Sequence, residues 1–182
     1  MASQRDMASI LQQMFDRSSV ALTLADENQE DCPLIAINNR FTEVTGYPAE
    51  DVIGRNCRFL QPTGGAGPVR DDIRAFIDTP DRSEGRFLIA NVTRDGTPFL
   101  NIVYLARLHG PSGEKFILGS QFNVDLDQSR VFIYERSLRE SLNDIRNLFS
   151  DHDWTMLGSM SAIANSAALI AQFRLDREGA SE

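Results

Sequence analysis

The sequence has little cysteine, little histidine and no excess of basic residues, and each shortage excludes a class of protein. Two cysteines in 182 residues are too few for the disulfide framework of a small secreted domain. Cys32, Cys57, His109 and His152 show no metal-ligand spacing, so the sequence predicts no metal site. The formal net charge of −8 argues against nucleic acid and anionic membranes as partners, because both attract clustered Lys and Arg.

The sequence also shows no sign of a signal peptide, a phosphate loop or a membrane span. Residues 1–10 contain no basic segment followed by an apolar run, which predicts a cytoplasmic location. Neither GxGxxG nor GxxxxGKS/T occurs. Trp154–Phe173 is long and uncharged, but its polar and small side chains predict a helix that packs against another helix.

The spacing of apolar residues predicts one α+β domain over residues 18–125, with a helical segment on either side. Residues 1–17 are expected to hold an amphipathic helix, either docked on its own domain or part of a dimer interface. Residues 18–125 are expected to form a five-stranded antiparallel sheet with short helices over one face. The strands are predicted at Val20–Ala25, Pro33–Ile37, Arg86–Val92, Pro98–Leu108 and Lys115–Val124.

Residues 126–175 are predicted to form a two-helix extension, followed by a polar tail at 176–182. The first helix, over Gln128–Phe149, carries an apolar seam with the spacing of three and four that is typical of a coiled coil or bundle. The second, over Trp154–Phe173, has small side chains that allow close packing. The extension is therefore interpreted as an interaction hairpin made across a dimer. The seam residues are Tyr134, Leu138, Leu142, Ile145 and Phe149.

One of the two thiols has unusually polar neighbours, in the octet Gly54-Arg55-Asn56-Cys57-Arg58-Phe59-Leu60-Gln61. A free cysteine usually packs among apolar side chains as a small hydrophobe. The amides and guanidinium groups around Cys57 instead indicate binding of something polar or anionic. Cys32 has no activating neighbour, because Asp31 would raise its pKa, and it is interpreted as structural or inert.

Strand parity raises the question of where three downstream amides point. If the inward faces of the last three strands coincide, Asn91, Asn101 and Gln121 line an apolar concavity, and Gly119 leaves room there for a ligand. In the alternative the amides lie on the solvent face, and parity leaves both arrangements open. The apolar residues predicted to share the face are Val103, Leu105 and Ile117.

A set of motifs occurs in the order and at the spacing of one known family. They are the octet, Gly46-Tyr47, Ile73-Arg74, Asn91, Asp95-Gly96, Phe99-Leu100-Asn101 and Gly119-Ser120-Gln121. Over roughly Ser18–Asp125 the sequence therefore resembles a LOV domain, the flavin-binding, blue-light-sensing branch of the PAS superfamily. The resemblance implies a PAS fold and a photosensory role.

The resemblance also implies a role for each residue of the pocket. Cys57 would be the photoactive thiol, whose sulfur bonds reversibly to flavin C4a under blue light. N5 of the flavin would gain a proton, so that Gln121 beside it reorients and alters the C-terminal helices. The other implied contacts are Arg58 and Arg74 at the phosphate, Asn56 and Gln61 beside the ring and ribityl chain, Asn91 and Asn101 at the polar ring edge, and Leu60, Val103, Leu105, Ile117 and Gly119 in the wall.

Three features bear on the cofactor. Leu100 stands where many members of the family have Trp, and Ile117 stands where a Phe often contacts the flavin. The loop Pro62–Pro68 keeps the spacing from Cys57 to Arg74, without the insertion that some FAD-binding members carry. FMN is therefore the predicted cofactor, with FAD as the alternative.

The predicted function is blue-light reception without an enzymatic effector, because only two helices are predicted after the sensor. The expected output is a light-dependent homodimer or an unknown downstream protein partner. Two alternatives stay open. A flavin-binding PAS sensor would signal through redox state, since a flavin radical needs no cysteine. A histidine-kinase stub would use His152 as phosphoacceptor, but no ATP-binding domain is predicted to follow.

Overall fold

An antiparallel sheet forms the centre of the protein, in a computed structural model that describes residues 12–65, 67–124, 131–150 and 155–156. The strand order across the sheet is β2-β1-β5-β4-β3, so the first and last parts of the domain pair in the middle. The α+β class and the five antiparallel strands are confirmed. The strands are β1 (Ala21–Asp26), β2 (Leu34–Ile37), β3 (Glu84–Val92), β4 (Pro98–His109) and β5 (Lys115–Asn123).

Helices cover both faces of the sheet. The inner face carries α2 (Asn39–Thr45), α3 (Ala49–Val52), a 3-10 turn (Cys57–Leu60) and α4 (Val69–Ile77). The outer face carries α1, at residues 12–17, and α5 (Val131–Ser150).

Alternate residues of β1 belong to two different cores. Ala21 shares a buried cluster with Phe41 of α2 on the inner face. Leu22 and Leu24 share the outer cluster with Leu138 of α5. Because successive side chains of a strand point to opposite faces, both faces of this strand must be apolar. The nearly continuous burial of β1 follows from that two-sided packing.

The helix at residues 12–17 docks on its own domain, which is one of the two arrangements predicted for it. Phe15 is fully buried in the outer cluster. The backbone carbonyl of Phe15 accepts a 2.9 Å hydrogen bond from Nδ2 of the buried Asn38. Oδ1 of Asn38 also accepts from the amide of Phe41 and so caps α2. The predicted residues before 12 lie outside the described part.

The apolar seam of α5 packs against the sheet of the same chain. The expected contact of the two-helix extension across a dimer stays a prediction. An antiparallel sheet with apolar residues on its outer face needs a cover, and an amphipathic helix from the same chain supplies one. The side chain of Phe149 lies outside the described part. The buried residues of the seam are Tyr134, Leu138, Leu142 and Ile145.

The expectation of a helix from Trp154 is wrong at its start, because Thr155–Met156 forms a short strand, β6. β4 is longer than β3, and its pairing with β3 ends at Ala106. The backbone edge of Leu108 and His109 is therefore available, and β6 pairs there. The rest of Trp154–Phe173, His152 and the tail at 176–182 lie outside the described residues. None of the helices described is long and apolar enough to span a bilayer.

Candidate flavin-binding site

A cavity of about 670 Å³ lies between the inner face of the sheet and the short helices. All the predicted site residues except Asn101 line it. They are Asn56, Cys57, Arg58, Leu60, Gln61, Arg74, Asn91, Val103, Leu105, Ile117, Gly119 and Gln121.

The strand register settles which way the amides point. Val103 of β4 pairs with Gln121 of β5, and Leu105 pairs with Gly119, so these residues share one face of the sheet. That face is the inner one, because all four line the cavity. Of the two arrangements that parity left open, the amides adopt the buried one.

Three amides form one hydrogen-bonded cluster in the cavity wall. Asn91, Asn101 and Gln121 are all buried, and Asn101 is fully so. Nδ2 of Asn101 donates to Oδ1 of Asn91 at 2.8 Å and to Oε1 of Gln121. Oδ1 of Asn101 accepts from the backbone amide of Phe122 at 3.0 Å. Asn101 does not itself line the cavity, but it holds the two amides that do. Its expected contact with the ring edge stays a prediction.

The position of Gly119 shows how Gln121 is oriented. A Cβ placed on Gly119 would lie 3.7 Å from Nε2 of Gln121 and 2.5 Å from Oγ1 of Thr23. No larger side chain fits at Gly119 without a shift of Thr23. Because Oε1 of Gln121 is engaged by Asn101, Gln121 presents its amino group, a hydrogen-bond donor, toward the cavity.

The octet folds as a tight turn that presents Cys57 to the same cavity. Oδ1 of Asn56 accepts a 3.0 Å hydrogen bond from the amide of Arg58 and caps the 3-10 turn. Gly54 adopts a φ of 83°, a left-handed conformation that glycine allows at no steric cost. Leu60 is buried and anchors the far end of the turn.

The Cys57 thiol is not activated in the ground state. Burial, with a smaller contribution from Cys32, raises the pKa of Cys57 from 9.0 to about 12. The thiol therefore carries its proton at neutral pH. Such a cysteine is a poor nucleophile until another group in the site becomes reactive.

Three arginines line the cavity, where two were expected. Arg70 and Arg74 lie one turn apart on α4, and Arg58 follows Cys57 in the octet. Guanidinium groups suit phosphate oxygens because they donate in a planar fork. The Arg58 side chain contacts the carboxylate of Asp31 and Oδ1 of Asn56.

Comparison with known proteins assigns the family. The chain matches the PAS domain family over residues 19–124. The crystal structure of the Rhodobacter sphaeroides LOV protein superposes with a TM-score of 0.68 at 32% identity, over 78% of this chain and 82% of that one. The chain belongs to the LOV branch of the PAS family.

Curated relatives of this LOV domain are longer proteins. A blue-light-activated histidine kinase of Rhizobium johnstonii is 34% identical over 145 residues, which is 79% of this chain and 40% of that protein. A blue-light photoreceptor of Listeria monocytogenes is 30% identical over 131 residues, which is 72% of this chain and 49% of that protein. The chain therefore spans less than half the length of these two relatives.

The LOV cavity fits a flavin by the chemistry of its wall. Asn91 and Gln121 offer the mixture of donor and acceptor groups that a polar ring edge needs. Leu60, Val103 and Ile117 provide apolar surface for the faces of the ring. The arginines provide the charge that a phosphate needs.

Several residues of the wall were not predicted. Thr23 and Ala25 of β1 line the cavity opposite Gly119 and Ile117, and the parity argument would have found them if it had been extended to β1. Cys32 also lines the cavity, because a turn with positive φ angles brings it there, and the residue type of Cys32 does not predict its left-handed conformation.

Proposed function

We propose that this LOV domain is a blue-light photoreceptor that binds FMN and uses Cys57 as its photoactive thiol. The observation that carries the proposal is that Cys57 lies in the wall of the cavity that Asn91 and Gln121 also line. A bound flavin would supply the absorption of blue light and an electrophilic ring carbon, and Cys57 would supply the sulfur that bonds to that carbon reversibly. Cys57 supplies a proton as well as its sulfur, because its raised pKa keeps the thiol protonated.

The amide cluster converts this chemistry into a change of hydrogen bonds. In the dark Gln121 presents Nε2 to the cavity and Oε1 to Asn101. If a bound flavin presented a donor to Gln121 after light absorption in place of an acceptor, Gln121 would rotate and present Oε1 to the cavity instead. Its Nε2 then faces Nδ2 of Asn101, and two donors cannot bond to each other. Asn101 must therefore move, and its Oδ1 bonds to the amide of Phe122 on β5.

The outer face of β5 carries this movement to α5. Phe122 stacks on Tyr134 of α5, with 4.4 Å between ring centroids. The hydroxyl groups of Ser120 and Tyr134 are 2.7 Å apart and hydrogen-bonded. Because Ser120 and Phe122 flank Gln121 in the strand, a shift of the inner residue reaches Tyr134 through its two neighbours. α5 is therefore the output element.

A change of assembly is the output that this arrangement supports best. The dark-state seam of α5 covers the outer face of the sheet, through Leu138, Leu142 and Ile145. If α5 loosens, both apolar surfaces become available to a second copy of the chain or to a partner protein. The proposed output is light-dependent assembly, as a homodimer or with such a partner.

The photochemistry is tested by absorbance spectroscopy. Purified protein is expected to carry the blue absorption band of a flavin, to bleach under blue light and to recover in the dark. Chromatography of the flavin released on denaturation is expected to give FMN. Cys57→Ala is expected to keep the band and lose the bleaching. A protein with no flavin band, or with a band that blue light does not change, contradicts the proposal.

The output is tested separately by size-exclusion chromatography in the dark and under blue light. The wild type is expected to change its elution volume on illumination, and Cys57→Ala is expected to elute identically in both conditions. If the wild type elutes identically at every concentration, assembly is not the output. If Cys57→Ala still switches as strongly as the wild type, the redox-sensing alternative replaces adduct formation as the signal.

A further inference from the structure

A second thiol lies in the wall of the cavity that holds Cys57. Cys32 lines the same cavity, and both cysteines are free and half-buried. Asp31 and Cys32 have φ angles of 67° and 47°, which residues with a side chain rarely adopt. The amide of Cys32 is fixed in this turn by a 3.1 Å hydrogen bond to the carbonyl of Gln29. The strained turn thus places the Cys32 side chain at the cavity.

The backbone segments that carry the two thiols are tied together on both sides of Cys32. After it, the amide of Leu34 donates to the carbonyl of Arg55 at 2.9 Å. Before it, the carbonyl of Asp31 accepts from Nδ2 of Asn56, and the carboxylate of Asp31 pairs with Arg58. Each cysteine is therefore next in sequence to a residue that makes one of these contacts: Cys32 follows Asp31, and Cys57 lies between Asn56 and Arg58. These contacts keep the two cysteine-bearing segments adjacent, and both cysteines line the cavity between the sheet and the short helices. A disulfide needs two cysteines on neighbouring backbone segments.

We propose that Cys32 and Cys57 are a redox pair, which hydroperoxides oxidise to an intramolecular disulfide. The disulfide removes the thiol on which the light response depends, so the oxidised receptor does not respond to light until the disulfide is reduced. Only this consequence rests on the proposed function. The disulfide itself depends on the geometry of the chain alone.

The oxidation balances with a hydroperoxide as the only co-reactant. One thiolate attacks the peroxide, the O–O bond breaks, and the sulfur becomes a sulfenic acid while water or an alcohol leaves. The second thiolate attacks that sulfur, the S–S bond forms and a water molecule leaves. The two thiols lose two electrons and two protons, and the peroxide gains them.

The environments of both sulfurs disfavour the thiolate form. Burial, together with Glu27 and Asp26, raises the pKa of Cys32 from 9.0 to about 11. The pKa of Cys57 is raised to about 12. Either thiol can be oxidised first, and the other resolves the sulfenic acid. Both thiolate fractions are small at neutral pH, so the pair oxidises slowly.

The test is dark treatment of the flavin-loaded protein with hydrogen peroxide, followed by quenching and mass spectrometry without reductant. The wild type is expected to lose two hydrogen atoms. Trypsin cuts after Arg17, Arg40, Arg55 and Arg58, so the disulfide joins residues 18–40 to residues 56–58. The bleaching amplitude, relative to the same sample before peroxide, is expected to fall in proportion to the linked fraction. Dithiothreitol is expected to reverse both changes.

The Cys32→Ser variant is the matched control and is expected to give no linked peptide. The proposal is overturned if the wild type gives no linked peptide either, with each thiol reduced or oxidised separately. It is also overturned if the disulfides join two chains. A linked peptide with undiminished bleaching overturns the effect on the light response. A protein that never bleaches contradicts the proposed function instead, while the linked peptide still decides the pairing.

Discussion

Gly119 lies where β1 and β5 meet in the wall of the flavin cavity, at a position that has no room for a Cβ. Thr23 of the neighbouring strand faces it, with Oγ1 2.5 Å from the position that a Cβ would take. Nε2 of Gln121 is 3.7 Å from the same position. Any side chain at Gly119 therefore displaces Thr23 on the neighbouring strand and comes into van der Waals contact with the Gln121 amide.

We expect Gly119→Ala to lower the free energy of unfolding by about 1–3 kcal/mol, the usual cost of forcing extra atoms into a packed site. It is also expected to lower the flavin content of the purified protein. Thr23→Ala removes the hydroxyl that causes the clash, so the Gly119→Ala/Thr23→Ala double variant is expected to recover part of both losses. Urea unfolding and the ratio of flavin to protein absorbance measure them. A Gly119→Ala protein as stable and as yellow as the wild type contradicts this packing.

At the scale of single residues, the sequence predicted some positions of the site and missed others. The octet and Gln121 were predicted because their residue types and spacing are specific. Cys32 was interpreted as inert, and its raised pKa was correctly expected, but its place in the cavity wall was not. That place depends on a turn with two left-handed residues, and no glycine or asparagine in the sequence signals it there.

At the scale of secondary-structure elements, Arg107 joins β4 to the end of α4. The side chain is almost completely buried and lies over the ring of Phe76. Its Nε and Nη2 both contact Oε1 of Glu27 at 2.8 Å. The terminal carbonyls of a helix have no partner within the helix, and here a guanidinium supplies one. The carbonyls that accept from Arg107 are those of Phe76, Ile77, Thr79 and Arg82.

Arg107→Met is expected to lower the free energy of unfolding by about 3–5 kcal/mol, because it leaves the largely buried Glu27 carboxylate without its cation. The matched control is Arg94→Met, which removes an exposed ion pair with Asp51. That change is expected to cost no more than about 1 kcal/mol. Urea unfolding of both variants measures the difference, and equal losses would show that Arg107 does not anchor α4.

The hydrogen bond between Ser120 and Tyr134 joins β5 to α5, and the proposed output depends on it. Tyr134→Phe leaves the buried Ser120 hydroxyl without its partner, so we expect α5 to dock about 1–3 kcal/mol less firmly. Amide hydrogen exchange along α5 in the dark is expected to accelerate accordingly. The Ser120→Ala/Tyr134→Phe double variant removes both partners and is expected to exchange more slowly than Tyr134→Phe. Simple addition of the two single effects would mean that the bond does not couple β5 to α5.

The sequence predicted whether most segments form a helix or a strand, but it did not predict the surface against which α5 packs. The seam of α5 was predicted residue by residue, and Tyr134, Leu138, Leu142 and Ile145 are buried. A helical apolar seam does not reveal whether it faces another chain or its own sheet. The continuous burial of β1, which alternation alone does not predict, is the feature that demands a helix on the outer face.

At the scale of the whole molecule, buried protonated groups make stability depend on alkaline pH. Burial raises the pKa of Cys32 from 9.0 to about 11, of Cys57 from 9.0 to about 12, and of Tyr134 from 10.0 to about 12. The folded state binds these protons more tightly than the unfolded state does. Their contribution to stability is therefore complete below about pH 9 and is lost as the pH rises from there to about 12.

We expect the free energy of unfolding to fall above pH 9, by at most about 1.4 kcal/mol per pH unit for each group. The Cys32→Ala/Cys57→Ala variant is expected to show a shallower decline between pH 9 and 11, because two of the ionising groups are gone. Urea unfolding at a series of pH values measures both slopes. Identical slopes would mean that the thiols are not protected from ionisation in the folded protein.

The central claim concerns the bond that Cys57 makes when light is absorbed, and light-minus-dark infrared spectroscopy in the S–H stretching region tests it most directly. Cys32→Ser leaves Cys57 as the only thiol. Blue light is expected to remove the S–H band of this variant, and darkness is expected to restore it. Cys57→Ser is expected to show no light-induced change. Bleaching of the flavin with the S–H band of Cys57 intact would contradict the account.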